Sequence, residues 1–247
     1  MLSKEQIAEL HRCATDPLHF IEQYIKIEHP SLGAVPFELY EYQRDYIREI
    51  HTGNVIAAFG RQMGKTSLTC AYALWHSIFN PNQNILFVSQ KVVIAQEIMS
   101  KIHFMRSHLA WISDLVRANK NELQFDNGSR IMSVVGNRNT ARGMSLNMIV
   151  LDELAYWPEK QVTECLETIV PCLVSTNAKI VIPSTPGPNG NQFIELFKLG
   201  EAGPLKLKPI RYSYELHPHR GAEWMQNQRA MLGSIRFEQE YGAIVNG

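Results

Sequence analysis

The sequence predicts an α/β fold built on a mainly parallel central sheet flanked by helices, with an N-terminal helical preface and a β-hairpin insertion. Three observations carry this. From Asn54 onward, short apolar runs alternate with amphipathic stretches, the pattern of a parallel sheet buried under helices. The first run leads directly into a glycine-bearing loop that opens a helix. A later run, Met148 to Leu151, ends in the acidic pair Asp152-Glu153.

The elements follow in order. Ser3 to His11 reads as a short amphipathic helix, and Asp16-Pro17 sets a capping residue before a proline that can open a second helix running to Ile27. Residues 1–52 are expected to form a helical lid subdomain, and 53–247 the core with a helical tail. Strands are expected at Val55 to Phe59, Ile85 to Ser89, Met148 to Leu151 and Lys179 to Pro183. Helices are expected between them at Thr66 to Phe79, Val92 to His108 and Glu159 to Leu173. Glu122 to Val135 breaks the rhythm as a β-hairpin turning at Asn127-Gly128. Beyond Pro186 come a loop with Gly187, Pro188, Asn189 and Gly190, a helix near Phe193 to Leu199, a strand over Lys206 to Tyr212 and a helical tail from Glu223 to Tyr241. The terminal Asn246-Gly247 supplies no obvious finishing element.

Composition excludes several classes. Hydrophobic residues make up 45% of the 247 and charged residues 19%, values of a folded globular chain and not of a disordered one. The 24 basic and 24 acidic residues cancel, so contact with a polyanion must be local. Cys13, Cys70, Cys165 and Cys172 form no C-x-x-C pair and read as reduced thiols, not zinc ligands. The start, MLSKEQIAELHRC, lacks the apolar core of a signal peptide, and no apolar run is long enough to cross a membrane. A cytoplasmic location is expected.

The chemistry concentrates in two motifs. Gly60-Arg61-Gln62-Met63-Gly64-Lys65-Thr66 sits between a strand and a helix, where backbone N–H groups can wrap phosphates. Lys65 can then reach the terminal phosphates and the Thr66 hydroxyl can bind Mg²⁺. The glycine falls one place later than in G-x-x-x-x-G-K-[ST], whose first position is Phe59 here. The second motif is the acidic pair at a strand's carboxyl end, the edge where ligands bind in open α/β sheets. Asp152 is the candidate Mg²⁺ ligand, and Glu153 the residue that orients and polarises an attacking water.

With these residues in view, the sequence resembles the ATPase part of the large terminase of tailed bacteriophages, over roughly residues 37 to 245. Arg61-Gln62 after the glycine is similar to that family's variant phosphate loop. Phe37 to Asp45 looks like its adenine-recognition segment, with Gln43 contacting the base; Thr140 to Ser145 looks like its arginine-bearing loop, with Arg142 as finger; Ser184-Thr185-Pro186 looks like its coupling motif. The resemblance implies a P-loop NTPase of the ASCE type that hydrolyses ATP with Mg²⁺. It implies ATP-binding residues Gln43, Gly60, Arg61, Gln62, Met63, Gly64, Lys65, Thr66 and Ser67, with Lys65, Glu153, Arg142 and Arg61 catalytic.

It further implies double-stranded DNA as cargo and, as partners, the portal protein of the procapsid, the small terminase subunit and further copies of the chain in a ring. Phe237 to Tyr241 looks like the segment through which the family's ATPase part enters its nuclease domain, so DNA cleavage is expected outside this chain. Lys120, Arg130, Arg138, Arg211 and Arg220 are candidate DNA contacts, with a solvated surface charge the stronger reading of each. Arg142 reads as a finger or as the partner of a local carboxylate, and Arg61 as a phosphate contact, a cis sensor or a solvated charge. Two rival functions remain in view. A helicase-like translocase shares these motifs but needs a second ATPase lobe, and a nucleotide-gated assembly module would bind ATP with little turnover.

Overall fold

The computed structural model describes residues 3–109, 115–187 and 191–245. Pro188, Asn189 and Gly190 of the expected loop, and the terminal Asn246-Gly247, lie outside the described residues. The chain opens with α1 (Lys4–Thr15) and α2 (Pro17–Tyr24). Asp16 joins them: its carboxylate accepts from the backbone N–H groups of Leu18 and His19 at 2.9 and 3.2 Å, a cap worth about 1 kcal/mol. The second helix stops at Tyr24, short of Ile27, because the chain turns into an antiparallel hairpin of β1 (Lys26–His29) and β2 (Gly33–Pro36). The helical preface is thus interrupted before α3 (Glu41–Thr52) closes it.

The core follows as β3 (Val55–Phe59), α4 (Lys65–Phe79), β4 (Asn84–Ser89), α5 (Val92–Ser107), β5 (Leu115–Asn119), β6 (Glu122–Phe125), β7 (Arg130–Val135) and β8 (Met148–Leu151). Then come α6 (Glu159–Thr176), β9 (Lys179–Ser184), α7 (Gln192–Leu199), β10 (Lys208–Tyr212), α8 (Ala222–Leu232) and α9 (Ser234–Glu240). Gly233, at φ +76°, divides the expected helical tail into two.

Among the described residues, one sheet holds eight strands in the order β10-β3-β9-β8-β4-β7-β6-β5. All neighbours from β10 to β7 run parallel, and β6 and β5 extend the far edge antiparallel. The hairpin turns as expected, with Gly128 at φ +83°, but its second strand is also built into the parallel sheet, β7 pairing with β4 from Arg130 to Val135.

Strand alternation divides the core between two faces. Val55, Ala57 and Phe59 face one side with Ile85, Phe87, Met148 and Val150, under α1 to α5. Ile56 and Ala58 face the other with Leu86, Val88, Ile149 and Leu151, under α6 and α7. Lys179 opens β9 and ties the faces to the preface: its ammonium donates to the carbonyls of Ile50 and His51 at 2.6 and 3.0 Å and to the Tyr72 hydroxyl at 3.1 Å. These carbonyls are the unpaired acceptors at the end of α3. The cysteines are free thiols, three of them buried.

Candidate active site

β9 lies between β3 and β8, so three adjacent parallel strands end at one edge and deliver the phosphate loop, Ser184-Thr185 and Asp152-Glu153 side by side. After β3, the Gly60 N–H donates to the Tyr212 carbonyl at 2.9 Å, continuing the ladder by one residue. The loop then needs left-handed backbone twice, at Gln62 (φ +58°) and Gly64 (φ +84°), before Lys65 starts α4. At Gly64 glycine is required twice over, because a Cβ would also lie 2.9 Å from Nε2 of Gln43.

The loop's carbonyls are held from outside. Met63 O accepts from the Tyr42 hydroxyl at 3.1 Å and from Gln43 Nε2 at 3.2 Å. Gln43 Oε1 accepts from the Tyr40 N–H at 3.0 Å, so this buried amide is spent on the protein itself. Arg220 donates from Nη1 to Arg61 O at 2.9 Å and from Nη2 to Gln62 O at 3.1 Å. That position, against the phosphate loop, corrects its reading as a DNA contact. Lys120, Arg138 and Arg211 are exposed; Arg130 is half-buried, 3.8 Å from Glu122.

At the centre, Lys65 Nζ lies 2.5 Å from Glu153 Oε1. The other carboxylate oxygen of Glu153 accepts from the Thr185 N–H at 3.1 Å and lies 3.4 Å from Ser184 Oγ. Glu153 itself sits at φ +55°, a left-handed conformation that costs an L residue about 1 kcal/mol or more, and its N–H donates to Pro183 O at 3.0 Å. Thr66 Oγ1 donates to Asp152 Oδ1 and Oδ2 at 3.1 and 3.3 Å. Asp152 is 3% exposed. Burial pushes its carboxyl up to about 6, with the Lys65 ammonium pulling the other way and the Glu153 carboxylate adding to the rise. An under-neutralised carboxylate beside a hydroxyl is a hard-oxygen pair suited to Mg²⁺.

Two clefts flank the loop. One, of about 410 Å³, is lined by Arg61, Lys65, Gln90, Asp152, Glu153 and Tyr156, among others. The second, of about 420 Å³, lies against Ile27, Tyr40, Gln43, Gly64, Ser67 and His217, with the Tyr40 and His217 rings 4.9 Å apart. Gln62 lines both. Arg61 pairs with Glu240 and hydrogen-bonds Tyr156, so its charge is tethered although its side chain remains exposed.

The structure thus gathers Gln43, Gly60 to Ser67, Asp152, Glu153, Ser184 and Thr185 around the two clefts. Pro186, buried, follows Thr185 and lines neither cleft. Arg142 stays apart: it is exposed on the loop after β7, lines neither cleft and has no side-chain partner among the described residues. Sequence reasoning missed Gln90, Tyr156, Glu240, Tyr241 and the placement of Arg220. Their proximity to the loop comes only from long-range packing.

Comparison with known proteins now bears on this geometry. The family described as "Terminase large subunit, T4likevirus-type, N-terminal" matches residues 56–245. The large terminase subunit of Thermus phage G20c is 24% identical over 244 residues, covering 84% of this chain and 50% of that protein. The chain therefore spans about half the length of the curated relatives it matches. The Thermus phage P74-26 large terminase ATPase domain superposes with a TM-score of 0.68 at 21% identity, over 85% of this chain and 95% of that one. The HK97 bacteriophage large terminase gives 0.69 at 14% identity, over 94% of this chain and 55% of that one. The large terminase of a thermophilic bacteriophage, solved in complex with ADP, gives 0.62 at 14% identity, over 84% of this chain and 54% of that one. These likenesses establish a shared fold.

Proposed function

The chain belongs to the terminase large-subunit family, within its N-terminal part, and from that premise we propose that it is the ATPase motor domain of a viral DNA-packaging machine. It hydrolyses ATP to drive double-stranded DNA into an empty capsid. The observation that carries this reading is the convergence of Lys65, Thr66-Asp152 and Glu153-Thr185 at the ends of three adjacent parallel strands. An ADP-bound structure in a related large terminase supports the choice of nucleotide.

The chemistry follows from the side chains. Phosphates enter the loop with their negative charge toward Lys65, whose ammonium moves from Glu153 to the terminal phosphate. Glu153, so released and still held by the Thr185 N–H, orients a water for in-line attack and takes its proton. Thr66 and Asp152 would hold Mg²⁺, which offsets charge on the phosphate oxygens. Lys65 and an arginine stabilise the charge of the transferring group. Arg142, exposed and unpaired, is suited to act in trans on a neighbouring subunit, a role that can be worth about 10³ to 10⁵ in rate.

The contact with Glu153 makes Ser184-Thr185 the link by which hydrolysis is felt along β9. Active assembly is a homo-oligomeric ring on the portal protein, with DNA delivered through the small terminase subunit, in the cytoplasm of the infected host. Among the described residues no helix is long and apolar enough to cross a membrane. DNA is gripped by its phosphates, with Lys120, Arg138 and Arg211 as contacts. Steady-state ATP hydrolysis over a wide range of protein concentration, with Lys65→Ala as blank, tests the reading. A rate per subunit that climbs with concentration and vanishes in the blank supports it; a rate equal to the blank throughout counts against it.

A further inference from the structure

Three successive carbonyls of the phosphate loop are held from its outer side: those of Arg61 and Gln62 by Arg220, and that of Met63 by Tyr42 and Gln43. In a trans peptide the C=O and the following N–H point opposite ways. Holding the Arg61 and Gln62 carbonyls outward therefore turns the N–H groups of Gln62 and Met63 inward. Neither N–H donates to a protein acceptor among the described residues. Consecutive inward N–H groups form a concavity that binds anions. The left-handed Gln62 makes this turn, a conformation that is costly for an L residue.

Arg220 is itself fixed from the C-terminal segment. Its guanidinium lies 4.7 Å from the Trp224 ring on α8 and 5.6 Å from the ring of Tyr241. No carboxylate pairs with it among the described residues, so a half-buried cation stands unneutralised directly behind the loop. A charge in that position is poorly placed for stability alone and well placed to favour an anion on the loop's other side. Tyr241 O closes the arrangement by accepting from the Tyr214 N–H at 2.9 Å, while Glu240 O accepts from the Arg61 N–H at 2.7 Å.

We propose that Arg220 is a positioning residue for the nucleotide's polyphosphate: its two-pronged hold on the Arg61 and Gln62 carbonyls keeps the loop's amides facing the phosphates and ties that state to the seating of α8 and Tyr241. The proposal deepens the nucleotide-binding reading above and rests on it. Arginine suits this hold because its two Nη atoms take one carbonyl each in a rigid planar fork, whereas a lysine would have to serve both from one nitrogen on a flexible stem, as Lys179 does at the end of α3.

The test is equilibrium binding of a fluorescent ATP analogue to wild type, Lys65→Ala, Arg220→Ala and Arg220→Lys, with displacement by ATP, tripolyphosphate and adenosine, alongside thermal melting. Arg220→Ala should bind ATP and tripolyphosphate about tenfold more weakly, the scale of a lost charge-assisted hydrogen bond, with adenosine displacement unchanged. Arg220→Lys, which keeps the charge and much of the packing, should lose about threefold or more at wild-type melting temperature. Wild-type affinity in a normally melting Arg220→Lys overturns the two-carbonyl hold. Parallel loss of adenosine and phosphate ligands would make Arg220 merely structural. Equal ATP binding by wild type and Lys65→Ala would instead bring down the nucleotide reading itself, and the proposal with it.

Discussion

The Lys65 ammonium and the Glu153 carboxylate lie 2.5 Å apart, so each neutralises the group that the other's chemistry requires. Glu153→Gln removes this restraint and the base together. Turnover should fall by about 10² to 10⁴, the range for loss of a general base, while ATP affinity stays equal to wild type or rises because Lys65 is released. Rapid-quench turnover and equilibrium binding on the same variant separate the two effects. Little change in an already negligible rate would mean that the site binds nucleotide without hydrolysing it, and an unchanged substantial rate would remove Glu153 from the role of base.

Arg142 lines neither cleft of its own chain. Lys65→Ala and Arg142→Ala proteins should therefore each be inactive alone and regain activity when mixed at assembling concentration, since one interface then pairs an intact site with an intact finger. Hydrolysis assayed across mixing ratios should peak between the pure variants. A straight line at background across all ratios would exclude action in trans.

Asp152 carries a proton below about 6 in the absence of a cation. Metal must displace that proton, so Mg²⁺-dependent nucleotide binding should weaken as pH falls, by about tenfold per unit below 6. A chelator should abolish turnover at any pH. Isothermal titrations at pH 5 and 7 should show the step in wild type and its loss in Asp152→Asn.

His76 provides a stability test away from the site. Burial, with the Lys179 ammonium and then His51 adding to it, holds its imidazole neutral down to about 4, against 6.5 for a free histidine. Between those values the unfolded chain binds the extra proton, so stability is full above about 6.5 and lost as pH falls toward 4. The loss should be on the order of 2 kcal/mol, and His76→Leu should flatten that part of the curve in urea unfolding measured from pH 7 to 4.5.

Gly60 has no room for a side chain: a Cβ would stand 2.6 Å from the Tyr241 carbonyl oxygen, which is backbone and cannot yield cheaply. Gly60→Ala should displace the C-terminal helices from the loop, lowering the melting temperature and weakening ATP binding together. A variant that melts and binds as wild type would show that this close approach is not required.

Local patterns were legible in the sequence, and distant ones were not. The loop, the acidic strand end and Ser184-Thr185 could be read because each is a short apolar run with its punctuation attached. The β1–β2 hairpin escaped because its residues are almost all exposed or half-exposed and show no alternation; β5, exposed along its whole length, escaped for the same reason. Arg220 meets the loop from 159 residues away, a contact for which spacing gives no signal. Gln43 was expected to contact an adenine; its hold on Met63 O is visible only once α3 is packed against the loop.

The three strands that end at the site are locked side by side, Ala58 level with Ser184 and Val150 level with Val181. Insertions and deletions should therefore be distributed unevenly across relatives of this chain. A residue gained or lost within β3, β8 or β9 reverses every side chain beyond it and drives Ser184 or Asp152 into the opposite layer, an error no neighbouring change repairs. Lineages should instead lengthen or shorten more freely at the exposed edge strand β5, far along the sheet from the chemistry. Length variation is thus the record in which this architecture should be most visible, with strands of fixed residue count beside a rim that drifts.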